Sequence, residues 1–153
     1  MTDYVTVADL KADLPDLDAS ALDDYRLPLE DMISSASRLV DKEVGGWEGY
    51  FVASSEDETR YFDGSGEVEQ WIDPMTELTS VSVSEGGGRA AADYTDWTED
   101  TDFYVWPYNY SSLSVPIQKL IVDNDSGSKG KFYAVKKGIK VTGKFGYATT
   151  VPD

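Results

Sequence analysis

The hydrophobic pattern changes at Gly45-Gly46, and this change constrains the fold more than any other feature of the sequence. Before it, apolar residues recur at helical spacing, which predicts an amphipathic helix over residues 29–44. The side predicted to pack inside the protein consists of Leu29, Met32, Ile33, Ala36, Leu39, Val40 and Val44. After the two glycines, short strand-like runs follow one another almost to the end of the chain.

A shorter helix is expected near the N-terminus. Thr6 and Asp9 have the spacing of a capping box, with Asp in place of Glu, and Pro15 cannot continue the helix that follows. Pro28 predicts a break or a fresh helix start near Leu27, ahead of the long helix.

The residues after Gly46 predict a run of antiparallel strands. The first two are expected to form a hairpin around Gly64-Ser65-Gly66, and Asp73-Pro74 is expected to end it. The predicted strands cover residues 59–63, 69–72, 78–84, 102–106, 119–123, 131–135 and 138–147. Helices followed by strands predict an α+β fold, in which N-terminal helices pack with a mostly antiparallel β-rich region.

The length of 153 residues and the 41% of hydrophobic side chains suit a single domain with a real core. We expect this domain to span residues 1–153, with a helical part at 1–46 and a β-rich part at 47–147.

The net charge of −16, from 13 basic and 29 acidic residues, disfavours binding to DNA phosphates and to anionic membranes. The chain has no Cys and no His, which removes the thiol nucleophile, the thiolate metal site and the commonest general base. We therefore expect no enzyme activity, no catalytic residue, no metal and no cofactor. Without a signal peptide or an apolar run of membrane length, we expect synthesis in the cytoplasm.

The charge is unevenly distributed along the chain. Residues 111–153 contain seven Lys and three Asp, so this stretch is basic although the whole chain is acidic. Opposite charges on one chain suit head-to-tail association of identical subunits. The alternative, that the basic residues only face solvent on one hairpin, stays open at this point.

Seven motifs are spread over most of the chain in a consistent order. They are Tyr4–Lys11, Ile33–Asp41, Thr59–Gly64, Trp71–Pro74, Leu78–Val81, Asp102–Pro107 and Val141–Tyr147. Together they resemble the head–tail connector, or adaptor, proteins of long-tailed double-stranded DNA viruses, in the larger variant with a β-rich insertion.

The resemblance implies a structural virion protein of the neck, at the head–tail junction of a tailed phage. Copies would form a ring oligomer of about twelve subunits below the portal protein. The ring would extend the DNA channel and dock the next neck or tail-completion protein, while duplex DNA passes without specific binding. Family members usually continue into C-terminal helices after the equivalent of Val151–Asp153, so a missing or truncated helix after residue 153 stays open.

An acidic lumen suits such a channel, because carboxylates repel DNA phosphates. The candidate lumen-facing residues are Asp13, Asp16, Asp18, Asp23 and Asp24. General solubility, or the acidic composition typical of a halophilic host, is the alternative explanation for these residues.

Two groups of residues are candidates for the interface between subunits or with a neck protein. Arg38 and Lys42 lie on the polar side of the long helix. The second group is an aromatic segment that alternates in sequence, either in the core or as an exposed docking patch, and consists of Tyr104, Trp106, Tyr108 and Tyr110.

Two other functions are weighed against the connector. A carbohydrate-binding or receptor-binding β module of a virus particle would need an exposed row of aromatic side chains. A hydrolase would need a carboxylate pair from the cluster at residues 93–102, which is more typical of an exposed acidic loop.

Asp123–Gly127 begins like a calcium loop, but the twelfth position is Ala134, so we expect a turn.

Overall fold

The computed structural model describes residues 3–14, 26–45, 47, 50–90, 93–125 and 127–150. Its internal contacts divide the chain into two compact units, Met1–Phe51 and Val52–Pro152, which we call the N-terminal unit and the sheet unit. The first contains helices and the second a largely antiparallel sheet of six strands. The predicted α+β class is therefore confirmed.

Two helices form the described part of the N-terminal unit. Helix α1 spans Val7–Asp13 and begins with the predicted capping box: the Asp9 N–H donates to Thr6 Oγ1 at 3.2 Å, and the Thr6 N–H donates to Asp9 Oδ2 at 2.7 Å. Helix α2 spans Arg26–Val44, so Pro28 lies in its first turn, where an N–H has no partner within the helix. No helix in the described ranges is long and apolar enough to cross a membrane.

Helix α2 turns a different side inward from the one that its sequence pattern predicts. Ser37 and Asp41 are buried, at 4% and 1% exposure. Four large side chains of the predicted inner side are 42–67% exposed, namely Met32, Leu39, Val40 and Val44. At about 100° per residue, Met32 lies on the opposite side of the helix from Asp41. The prediction that this apolar side packs internally is therefore wrong for these four residues, whereas Leu29 and Ile33 are half-buried.

Hydrogen bonds to the Asp41 carboxylate explain this orientation of α2. The carboxylate accepts a bond from the Tyr4 hydroxyl and one, at 3.1 Å, from the Tyr50 N–H, while Arg38 Nε lies 3.3 Å away. The Tyr4 hydroxyl in turn accepts the Phe51 N–H at 3.2 Å. Burial and the bond to Asp41 raise the pKa of Tyr4, so its hydroxyl stays protonated and donates. A buried carboxylate needs such partners, and they hold the polar side of α2 inward.

The sheet unit has six strands and one short helix in its described residues. The strands are β1 Glu58–Phe62, β2 Glu69–Val83, β3 Thr95–Trp97, β4 Phe103–Trp106, β5 Ile117–Val122 and β6 Ile139–Phe145. Helix α3, Tyr110–Leu113, connects β4 to β5. The strand order is β1-β6-β2-β5-β4, with β3 paired to β2, and all these pairs are antiparallel.

Strand β2 is longer than predicted and pairs with two strands in succession. It runs through Asp73-Pro74, where the sequence predicts that a strand ends. Its first part pairs with β5, its second part pairs with β6, and the register with β5 shifts between Trp71 and Met75. Pro74 has no N–H to donate to a neighbouring strand. The shift in register at this point allows β2 to continue through Pro74.

Two further strand predictions are wrong. Strand β1 pairs with β6, so residues 59–63 and 69–72 do not form a hairpin. Residues 131–135 form no strand, although Phe132 is fully buried and its N–H donates to the Glu67 carbonyl at 2.9 Å. In both places long-range pairing prevails over the local pattern. The strands predicted at 102–106, 119–123 and 138–147 are confirmed as β4, β5 and β6.

The core of the sheet unit lies on one face of this sheet. Strand β6 supplies alternate buried residues at Ile139, Val141, Gly143 and Phe145. They pack with residues from the other strands and from the segment before β6, including Met75, Phe103, Ile117, Leu120 and Phe132. The opposite face of β2, β5 and β4 therefore stays available for other contacts.

Changing Tyr4 to Phe should loosen the N-terminal unit. The substitution removes one donor to the buried Asp41 carboxylate and should lower the free energy of unfolding of this unit by about 1–2 kcal/mol. Hydrogen exchange should show faster exchange of the α2 amides, with the sheet amides unchanged. The control is Tyr108→Phe, at a residue that is 59% exposed and where we expect a change below about 0.5 kcal/mol. Equal exchange of the α2 amides in both variants would contradict the role given to Asp41.

Candidate functional site

The outer face of the sheet unit carries an exposed row of aromatic side chains. The pairing register places Trp71 of β2 and Trp106 of β4 on either side of Lys119 of β5. Trp71 is 61% exposed and Trp106 is 40% exposed. Tyr108 extends the row, with its ring centre 5.1 Å from that of Trp106 in an edge-to-face arrangement. We call Trp71, Lys119, Trp106 and Tyr108 the aromatic row.

Lys119 holds the two indoles of the aromatic row in place. Its Nζ atom lies 5.2 Å from the ring centre of Trp71 and 5.4 Å from that of Trp106. The same ammonium group pairs with Glu69 at 2.9 Å, and the Lys119 side chain is only 12% exposed. One face of each indole is thus directed at a shielded cation, and the rest of each ring faces solvent.

The four aromatic residues predicted as one segment have two different environments. Trp106 and Tyr108 are exposed, as a docking patch requires. Tyr104 is half-buried and its hydroxyl donates to Asp123 at 3.1 Å, while Tyr110 is half-buried against the core. The segment is therefore part core and part surface.

Sequence reasoning did not place Trp71 and Lys119 in this group. They lie 35 and 13 residues from Trp106 along the chain and meet it only through strand pairing. The available signal was the pattern of β2, in which Trp71 stands between the buried Gln70 and Ile72 and must point to the other face.

The exposed apolar side of α2 is the second candidate surface. We call Met32, Ala36, Leu39, Val40 and Val44 the helix stripe; all five residues are exposed. Of the predicted interface residues on this helix, Lys42 is exposed, whereas Arg38 is engaged within its own unit by Asp41 and, at 3.8 Å, by Asp3. The apolar stripe, which the sequence pattern predicts to be buried, is thus an exposed surface of α2.

The candidate lumen-facing acids lie mostly outside the described residues. Asp13 is the exposed last residue of α1. The other four, Asp16, Asp18, Asp23 and Asp24, fall in a range that the structure does not describe, so their role stays a prediction.

The acidic cluster at residues 93–102 makes local structural contacts. The Asp93 carboxylate accepts the N–H groups of Ala90 and Arg89, which lower its pKa, and Asp96 accepts the Ser82 hydroxyl at 2.7 Å. In the part of the chain that the structure describes, no group of three carboxylates or other metal-binding side chains could hold a metal ion.

The segment that resembles a calcium loop forms a turn in its described residues. Asp123 is buried at 4% exposure, and its Oδ1 accepts the N–H of Asp125 at 2.9 Å, as in an Asx turn. Its Oδ2 accepts the Tyr104 hydroxyl, so Asp123 connects this turn to the aromatic segment.

Comparisons with protein-family models, with curated proteins and with solved structures find no match to this chain. Functional interpretation therefore depends on the aromatic row, the helix stripe and the charges around them.

Replacing Lys119 with Met should free the two indoles of the aromatic row. The substitution keeps the length of the side chain but removes two cation–π contacts, each contributing about 0.5–1 kcal/mol. We expect the free energy of unfolding to fall by about 1–2 kcal/mol and the indole N–H resonances of Trp71 and Trp106 to shift and broaden. Lys131→Met is the control at an exposed lysine. If the two variants gave the same spectra, Lys119 would not be what orders the aromatic row.

Proposed function

We propose that the chain is a head–tail connector subunit of a tailed virus particle, acting as a structural protein and not as an enzyme. In this proposal copies form a ring below the portal protein in the neck of the virion. The ring extends the DNA channel and docks the next neck or tail protein.

The observation that carries the proposal is the exposed helix stripe. Met32 and Leu39 are 67% and 59% exposed on a helix whose polar side is turned inward. Burying a large aliphatic side chain is favourable by about 1.5–3 kcal/mol, and soluble monomers rarely expose such contiguous apolar surface. A contact with a neighbouring copy would bury the stripe without opening the N-terminal unit.

The aromatic row supplies a second surface of different chemistry. Tryptophan and tyrosine are the residues that most often dominate binding energy at protein interfaces. Two unlike surfaces on one chain suit a heterologous contact, in which one face of each copy binds a different face of the next. Heterologous contacts close into a ring when the rotation between copies permits. If the contacts of the ring leave the aromatic row uncovered, the row can dock a neck protein.

The acidic composition agrees with a channel that does not bind DNA. With a net charge of −16, copies arranged around a lumen would repel phosphates and keep a duplex centred. The exposed Asp13 is the described candidate for such a lumen position.

A carbohydrate-binding module of a virus particle is the second candidate, because three exposed aromatic side chains lie together in the aromatic row. The position of Lys119 limits this candidate. One face of both Trp71 and Trp106 is directed at the lysine ammonium, so only the opposite face of each indole is left on which a sugar ring could stack.

Electron microscopy and native mass spectrometry of the purified chain test the proposal. We expect a closed ring, and we expect Met32→Gln with Leu39→Gln to weaken assembly because they remove apolar area from the contact. Each substitution should raise the dissociation constant about tenfold. The control is Leu113→Gln, at a leucine that is 62% exposed and lies outside the stripe. A wild-type chain that stays monomeric up to high concentration, or binds glycans as a monomer, would overturn the proposal.

A further inference from the structure

A basic pocket lies at the end of the sheet unit where β1 and β6 pair. It has a volume of about 250 Å³. Its lining includes three cationic side chains and two tyrosine rings, and consists of Tyr61, Gly88, Arg89, Ala90, Tyr94, Lys137 and Lys140. In a chain with a net charge of −16, such a concentration of positive charge needs an explanation.

The backbone around the pocket is held by specific contacts. The pairing register puts Tyr61 opposite Lys140, and the Tyr94 hydroxyl donates to the Lys137 carbonyl at 2.7 Å. The Lys137 N–H donates to Asp63 at 2.9 Å, and its Nζ lies 5.8 Å from the ring centre of Tyr61. A side chain at Gly88 would collide with the Tyr94 hydroxyl, since a Cβ there would lie 1.6 Å from it. These contacts fix the backbone of the pocket, whereas the side chains of Tyr61, Arg89 and Lys137 in its lining are exposed, so the pocket is an open concavity at the surface.

The cations of the pocket differ from four other basic residues of the sheet unit. Those four pair with carboxylates at 2.5–3.0 Å, namely Arg60, Lys119, Lys136 and Lys144. Within the described residues, Arg89, Lys137 and Lys140 have no carboxylate at ion-pair distance, and neither do Lys129 and Lys131 outside the pocket. The Asp93 carboxylate accepts the N–H groups of Arg89 and Ala90 and interacts electrostatically with Arg89. The Asp63 carboxylate accepts the Lys137 N–H and pairs with Lys136.

The N-terminal unit has the complementary charge. Residues 1–51 contain twelve Asp and Glu against four Lys and Arg, a net charge of −8. Residues 52–153 have the same net charge over twice the length, so the excess of acidic residues is denser in the N-terminal unit. Asp13 at the end of α1 and Asp31 on α2 are both exposed among its described residues. A basic pocket on one unit and exposed acidic residues on the other give the chain two sites of opposite charge, as a head-to-tail contact requires.

We propose that the basic pocket receives carboxylates from the N-terminal unit of a second copy of this chain. The inference rests on the proposed ring and names one of its contacts. The three cations supply the attraction, and the Tyr61 hydroxyl can donate to the same carboxylate. Attraction of this kind fixes the orientation and register of neighbouring copies more than it adds to affinity.

Charge reversal in the pocket tests the contact. Lys137→Glu with Lys140→Glu should raise the concentration needed for half-assembly about tenfold or more at moderate salt. The matched control is Lys129→Glu with Lys131→Glu, which changes the net charge equally outside the pocket and should shift this concentration less than about threefold. Thermal unfolding of both variants checks that each remains folded. Equal assembly of the pocket variant and the control would overturn the inference.

Zero-length carbodiimide cross-linking of the wild-type ring identifies the partner directly. Rings assembled from a mixture of isotopically light and heavy copies should give mixed-isotope links between Lys137 or Lys140 and acids of residues 1–51. Links from these lysines only to the sheet unit, or only within one copy, would overturn the inference while the ring itself stands. A chain that forms no ring would instead overturn the proposed function.

Discussion

The change of partner along β2 is the constraint on which the surfaces of the sheet unit depend. From Glu69 to Met75 this strand pairs with β5, and from Met75 to Val83 it pairs with β6. The first part places Trp71 beside Lys119 and so builds the aromatic row. The second part holds β6 in the middle of the sheet, where Lys140 stands between Ser82 of β2 and Tyr61 of β1. This one strand thus helps to position two surfaces, each of which consists of residues that lie far apart in the sequence.

In the N-terminal unit, the long helix buries a hydrogen-bonded polar network and leaves large apolar side chains exposed. It buries Ser37 and Asp41 while Met32 and Leu39 stay exposed. In a monomer this arrangement leaves apolar area in water, and the partners of Asp41 add only a modest net stabilisation. In the proposed ring, a neighbouring copy that covers the helix stripe would recover this cost. The polar network fixes the orientation of the helix and therefore also determines which of its sides is exposed.

Features determined by nearby residues could be predicted from the sequence, and features determined by distant partners could not. The capping box at Thr6 and the alternation in β6 are local patterns, and both are confirmed. The glycines at residues 64–66 also favour a hairpin, but β6, far along the chain, pairs with β1 instead. The inner side of α2 is set by Tyr4 and Tyr50, which lie outside the window of helical periodicity. Trp106 and Tyr108 were found because they are neighbours in sequence, whereas Lys119 joins them only through the sheet.

In the proposed ring, acidic copies must overcome their mutual repulsion, and the surfaces of the chain would contribute to this in different ways. The helix stripe and the aromatic row contribute contact area that carries little charge, so their contribution persists when salt screens the remaining carboxylates. In the same proposal the basic pocket contributes little area but supplies local attraction against the net repulsion. Because an apolar stripe alone tolerates sliding along its length, a localised charge contact would fix neighbouring copies in a single register.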